Sequence, residues 1–146
     1  MNVPAFMPDT SCMVAAVSSW HEHHARAMAA IDDRLGRKQR MIVAAAALIE
    51  TYSVLTQLPT PHRISPADAL AIVDANFLGR VKTVALTAAG YGTLLRRSGE
   101  AGISGGHIYD SVIAACARKA KVSTLLTFND ANFRSFAGPD LDIVVP

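Results

Sequence analysis

Residues 39–58, QRMIVAAAALIETYSVLTQL, hold two elements back to back. Gln39 to Ala44 is a short apolar run with branched Ile42 and Val43, which predicts a buried strand. From about Ala45 to Leu58 the apolar stretch is too long for such a strand and predicts a helix. Pro59 and Pro61 terminate it, because proline removes a donor and clashes with the turn before it. Upstream, residues 3–7 can form a short strand ended by Pro8, whose missing N–H makes it a poor central-strand residue. Asp9-Thr10-Ser11 then offers capping oxygens ahead of a helix from Cys12 to Val17. His21 to Leu35 predicts an amphipathic helix: Ala25, Met28, Ala29 and Ile31 share a side, Glu22, Arg26 and Asp33 can stay wet, and Gly36 stops it.

Downstream, Ser65-Pro66 is a helix start, with proline at the first helical position and Asp68 in the first turn, for a helix that runs to Phe77 or Leu78. Val81 to Leu86 reads as a strand, Thr87 to Arg97 as a helix, and Ser98 to Gly106 as a loop. His107 to Lys121 is helical, Val122 to Thr127 a strand, Asn129 to Phe136 a turn or short helix, and Asp142 to Val145 a last strand. Strands alternating with helices predict an α/β fold, a three-layer α/β/α sandwich whose mainly parallel central sheet is covered on both faces. No repeat, low-complexity tract or long Gly/Ser linker divides residues 1–146, so one domain is expected. The helices beginning at His21 and Ser65 are extra to simple alternation and are expected to form a protruding pair.

Hydrophobic residues make up 51% of the 146 and charged ones 18%, which excludes intrinsic disorder. The longest unbroken apolar run, Met41 to Ile49, is about half of a membrane span, and no secretory signal opens the chain, so no membrane association is expected. Cys12 and Cys116 read as small core residues of a protein kept reduced in the cytoplasm. The mean hydropathy of +0.25 is high and suggests that another protein chain covers part of the surface. A net charge of +2 is too small to identify a nucleic-acid binder by itself.

The acids carry the chemistry. Asp9 follows the first strand, Glu50 lies in the helix after the second, and Asp130 lies just past Leu125-Leu126-Thr127. Open parallel sheets place their working sites outside the carboxyl ends of the strands, so connectivity brings these acids to one rim. Asp110 lies about one turn into the helix that follows Gly105-Gly106, where free N–H groups favour an anion. Glu50 is the most informative, because it interrupts an apolar helix with Ala46, Ile49, Ser53 and Val54 around it, and an unpaired buried carboxylate is expensive. Taken singly, each acid has a plain explanation: a solvent-edge or Arg-paired Glu50, a first-turn Asp110, a cap at Asp9, a turn acid at Asp130. Taken together they would repel one another, and a divalent cation resolves that conflict. Mg²⁺ and Mn²⁺ prefer oxygen ligands, keep waters and need no His or Cys. Such an ion neutralises a phosphodiester, orients water and lowers its pKa.

Four blocks in this order, PDTSCMVAAV (8–17), AAALIETYSVLTQLP (45–59), GISGGHIYDSVIAACARKA (102–120) and LLTFNDANF (125–133), resemble PIN-domain nucleases, most nearly the VapC-type toxins. The resemblance implies a PIN-like α/β/α fold, RNA cleavage with Mg²⁺ or Mn²⁺, and neutralisation by a VapB-like antitoxin. It maps the family's first acid onto Asp9, with Thr10 or Ser11 supplying the neighbouring hydroxyl, its helix glutamate onto Glu50, and its later helix aspartate onto Asp110. In the fourth block the family carries Asp or Asn two residues after the threonine, and often Asp just before the phenylalanine. Here Asn129 and Asn132 hold those places, with Asp130 between them. Asp9, Glu50, Asp110 and Asp130 are therefore the expected catalytic and metal-holding acids, with Thr10, Ser11, Asn129 and His107 beside them. Pro8 replaces the commoner aliphatic residue.

Given an acidic nuclease pocket, Arg37, Lys38 and Arg40, Arg96 and Arg97, and Arg118 and Lys119 become candidates for RNA phosphates, as do Lys121 and Arg63. Without the pocket each group is an ordinary solvated face. His21, His23 and His24 lack a transition-metal signature and read as a wet or packing helix face, and Trp20 and Tyr52 read as packing or partner-contact residues rather than base-stacking platforms. The expected function is a metal-dependent endoribonuclease toxin that acts on RNA and binds an antitoxin, with a homodimer consistent with the apolar composition. The alternatives are a metal-dependent DNA nuclease and an RNA-binding or regulatory domain that has lost catalysis.

Overall fold

All four residues of β1, Ala5–Pro8, are buried, the mark of a strand covered on both faces. The computed structural model describes residues 3–79 and 81–146. After β1 come α1 (Thr10–Val17), α2 (His24–Gly36), β2 (Arg40–Ala44) and α3 (Ala45–Gln57). They are followed by α4 (Pro66–Val73), which passes into a wider π turn over Asp74–Leu78, then β3 (Lys82–Val84), α5 (Ala88–Glu100) and α6 (His107–Lys119). The chain closes with β4 (Thr124–Leu126), α7 (Asp130–Phe133) with a 3₁₀ turn over Arg134–Phe136, and β5 (Asp142–Val144).

The five strands form one parallel sheet in the order β3-β2-β1-β4-β5. Burial follows position: β1 and β4 are wholly buried, whereas the edge strands β3 and β5 keep residues in contact with water. Chain order steps from β1 through β2 to β3, then returns to β4 on the other side of β1. Right-handed crossovers therefore carry α1–α4 to one face and α5–α7 to the other, which gives the three expected layers. The step from β1 to its neighbours on either side is the topological switch point, where such sheets open a crevice at the carboxyl ends.

Three expectations are corrected. Pro8 lies inside the central strand as its last residue, opposite Leu126. Pairing with β2 registers Ala5 with Arg40 and Phe6 with Met41 and goes no further towards Pro8, so the missing N–H removes no ladder bond there. The two additional helices do not pair with each other: α2 packs on α1 and α4 on α3. The helix expected from His21 begins at His24, because Ser18 to His23 form a turn in which the Ser18 carbonyl accepts from His21 N–H.

The loop before α6 shows its local causes. Gly102, at φ +72°, closes α5 with a Schellman pair: its N–H reaches Gly99 O, and Ile103 N–H reaches Ser98 O. Gly105, at φ +59°, makes the second left-handed turn that starts α6 and its acid. Both cysteines are free and buried. Burial, with Asp9 beside it, pushes the Cys12 thiol up to about 12, so it remains a protonated core group. No described helix is long and apolar enough to cross a membrane.

Candidate active site

Asp9 immediately follows β1 and caps α1, so one residue ends the central strand and opens a helix. It is 2% exposed, and its carboxylate is fully engaged. Oδ1 accepts from the Ser11 hydroxyl at 2.6 Å and Cys12 N–H at 2.9 Å, while Oδ2 accepts from the Thr127 hydroxyl at 2.5 Å. Each hydroxyl is itself held: Ser11 accepts from Phe128 N–H at 3.0 Å and Thr127 from Asn129 N–H at 2.9 Å. The turn after β4 is thus tied to Asp9 through two hydroxyl relays.

Glu50 lies on α3 beneath the same rim, where its Oε1 accepts from the Thr10 hydroxyl at 3.1 Å. The sequence left open whether Thr10 or Ser11 served Asp9. The structure divides the work: Ser11 holds Asp9 and Thr10 holds Glu50. Asp110 stands in the first turn of α6, with Oδ2 3.2 Å from His107 Nδ1.

The electrostatics bind these three acids together. Burial pushes Asp9 from an ordinary 3.8 up to about 6, against the pull of three hydrogen bonds, with repulsion from Asp110 adding to the rise. Glu50 is raised by burial and by Asp110, with the Thr10 hydroxyl opposing. Burial raises Asp110, and His107 opposes through its hydrogen bond and charge. Among the described residues none of the three meets a Lys or Arg. Nor do three His, Cys, Asp or Glu side chains among them close on a common point. The all-oxygen donor set of the three side chains fits Mg²⁺ or Mn²⁺, which take carboxylate oxygens and keep several waters.

Asp130 stands apart. It begins α7 and binds Arg134 one turn on, at 3.1 Å to Nε and closer to Nη2, which holds its carboxyl below the usual range. Asn129 contributes its backbone N–H to the Thr127 relay, and Asn132 is exposed. Thr127 is the residue sequence reasoning missed. It is fully buried with both sides of its hydroxyl in use, and the only available sign was a threonine closing the strand before the turn.

The basic groups separate in the same way. Arg97 lies in the last turn of α5 and lines, with Ser111 and Arg118, one cleft between α5 and α6, while Arg96 lays its guanidinium back beside Gly92. Arg118 and Lys119 lie about 12 Å along α6 from Asp110, bound to the Phe136 and Ala85 carbonyls. Arg37, Lys38 and Arg40 precede or begin β2, four residues below the rim in register with Ala5, about 13 Å from it, and Arg37 pairs with Asp33.

Residues 6–139 match the PIN domain family. The chain is 39% identical over 122 residues to Ribonuclease VapC40 of Mycobacterium tuberculosis, covering 81% of this chain and 82% of that one. Among solved structures it is similar to VapC20 of Mycobacterium tuberculosis, a sarcin-ricin loop cleaving toxin, with a TM-score of 0.68, 17% identity and coverage of 90% and 95%. It is also similar to DNA-bound VapBC from Salmonella typhimurium, with a TM-score of 0.66, 22% identity and 98% of each chain covered. At those identities the two structures speak for the fold alone. The family match over nearly the whole chain, together with the VapC40 identity, makes this protein a member of the PIN-domain family, among its VapC-type proteins.

Proposed function

We propose that this protein is a metal-dependent endoribonuclease, the toxin of a toxin–antitoxin pair, in which Asp9, Glu50 and Asp110 hold Mg²⁺ or Mn²⁺. One observation carries the reading: three carboxylates share a rim, raise one another's pKa or are raised by burial, and among the described residues meet no Lys or Arg. When bound, the ion offsets phosphodiester charge and orients and acidifies a water for in-line attack. The chain's own task is placement. Ser11, Thr127 and Cys12 N–H fix both oxygens of Asp9, Thr10 fixes Glu50, and His107 orients Asp110. The free N–H groups at the start of α6 and the guanidinium group of Arg97 draw an RNA phosphate towards the rim. Attack by water needs no ribose 2′-hydroxyl, so the products carry 5′-phosphate and 3′-hydroxyl ends.

The name of VapC40 as a ribonuclease supports RNA as substrate, and the likeness to a VapBC structure supports an antitoxin partner. Ile49, Leu70 and Leu95 are large aliphatic side chains left 72%, 57% and 62% exposed, surface for that partner or for a second copy of this chain. The antitoxin covers apolar surface beside the early helices and places a basic side chain among the acids. The free, buried cysteines suit the reducing cytoplasm. The test is cleavage of single-stranded RNA by purified partner-free protein with and without Mg²⁺ or Mn²⁺. Cleavage that requires added metal and leaves 5′-phosphate ends supports the proposal; full activity after verified metal removal refutes it.

A further inference from the structure

A row of rings leads away from Asp9 across the surface. Phe128, whose N–H holds Ser11, stacks on His23 with centroids 4.5 Å apart and planes 11° from parallel. His23 continues to His21 at 5.6 Å, and His21 to Trp20 at 5.6 Å. The Trp20 indole stacks on His62, from the loop after α3, at 4.2 Å and 19°. With one face against His62, Trp20 is still 44% exposed. A ring left this open in water forgoes part of the burial its apolar surface would gain.

The surroundings favour nucleic acid over a protein partner. The Arg26 guanidinium lies 5.4 Å from the Phe128 centroid and donates to the Pro146 carbonyl, and exposed Arg63, next to His62 in the chain, donates from Nε to the Leu58 carbonyl while its other nitrogens stay open to solvent. Glu22, whose carboxylate meets the His23 ring at 3.5 Å, is the acid on the border. The most exposed aliphatic residues, Ile49, Leu70 and Leu95, lie instead on α3, α4 and α5. Flat rings flanked by guanidinium groups are the chemistry of unpaired bases and their phosphates.

We propose that Trp20 and His62 form a nucleobase-stacking subsite, joined to the acids by the His23–Phe128 pair, that holds an unpaired nucleotide flanking the cleaved phosphate. This rests on the ribonuclease reading and adds base stacking to the packing role expected of Trp20, which the stack on His62 bears out. The subsite positions substrate and takes no part in the bond change.

Trp20 is the single tryptophan, so its emission reports on the subsite directly. Octa-adenylate and octa-uridylate titrated into the Asp9→Asn protein with Mg²⁺, where the RNA stays intact, should quench that emission. In the otherwise unaltered enzyme, Trp20→Ala should raise KM for the same oligonucleotides roughly 5- to 150-fold. kcat should stay within about twofold, and hydrolysis of bis(p-nitrophenyl) phosphate, which carries no base, should not change. Trp20→Phe should restore most of the KM, and His62→Ala should weaken it in the same direction, a second route if Trp20→Ala does not fold. Unquenched emission, or RNA cleavage with unchanged KM in folded Trp20→Ala and His62→Ala, overturns the subsite. So does a Trp20→Ala effect confined to assembly with the protein partner. Quenching without hydrolysis of either substrate refutes the ribonuclease reading while supporting the subsite.

Discussion

Replacing Asp9 with asparagine should stabilise the metal-free protein at neutral pH and destabilise it in acid. In the folded state the Asp9 carboxyl titrates at about 6, against an ordinary 3.8. An acid raised on folding favours the protonated folded state. Its contribution is fully present below about pH 4 and lost as pH rises through about 6. The whole loss is about 3 kcal/mol at pH 7.5, a value appropriate to a side chain that is 2% exposed. The substituted asparagine would carry no charge and would keep the bonds from Ser11 and Cys12 N–H on its carbonyl. Its amide would face the Thr127 hydroxyl, which already accepts from Asn129 N–H and would have to redirect its proton, at about 1 kcal/mol. The net gain for Asp9→Asn at pH 7.5 in EDTA is therefore about 2 kcal/mol, a Tm about 4–8 °C above the parent. At pH 4 the charge penalty has vanished and the variant should melt a few degrees lower. Mg²⁺ at millimolar concentration should raise the parent's Tm and leave the variant's unchanged. Circular dichroism melts at both pH values, with and without metal, provide the measurement. A variant no more stable than the parent at pH 7.5, or a difference that does not change between pH 7.5 and 4, would refute the account of Asp9 as a strained, unneutralised carboxylate.

Thr127→Val should remove a donor to Asp9 and leave Asn129 N–H unpaired. We expect a loss of about 1–3 kcal/mol in denaturant melts and an acid limb of the pH–rate profile shifted upward; an unchanged limb would show that the relay does not tune Asp9. Asp130→Asn should leave the Mg²⁺ concentration for half-maximal RNA cleavage within about twofold of the parent, because its carboxylate is paired with Arg134; Asp110→Asn should raise it at least tenfold. Ile49→Asp should weaken assembly with the co-expressed partner, or between copies of this chain, in light scattering after size exclusion, while the monomer's melting temperature stays within a few degrees. Arg40→Ala should leave KM for RNA unchanged, since Arg40 begins β2 at the opposite end of the sheet from the acids, whereas Arg97→Ala should raise it.

The sequence by itself determined the alternation of elements, because burial on both faces leaves β1 and β4 apolar and because Gly, Pro and capping residues punctuate the chain at Pro59, Ser65-Pro66 and Gly105-Gly106. Connectivity alone brought Asp9, Glu50 and Asp130 to one rim, since residues that follow parallel strands must emerge there, whereas Asp110 was placed only by its first-turn position in a helix. The direction of a side chain is another matter. Asp130 sits at the same rim, yet its carboxylate turns to Arg134, a choice made by the one-turn geometry of α7 and invisible in the spacing LLTFNDANF. Thr127 could not be distinguished from any strand-closing threonine until β4 lay beside β1 and set its hydroxyl on Asp9. Trp20 and His62 are separated by α1's return turn, two helices and a strand, and only tertiary packing lays one ring on the other. Local periodicity records which face of an element is buried; which polar atoms meet depends on distances between elements far apart in the chain, and those exist only once the sheet has assembled.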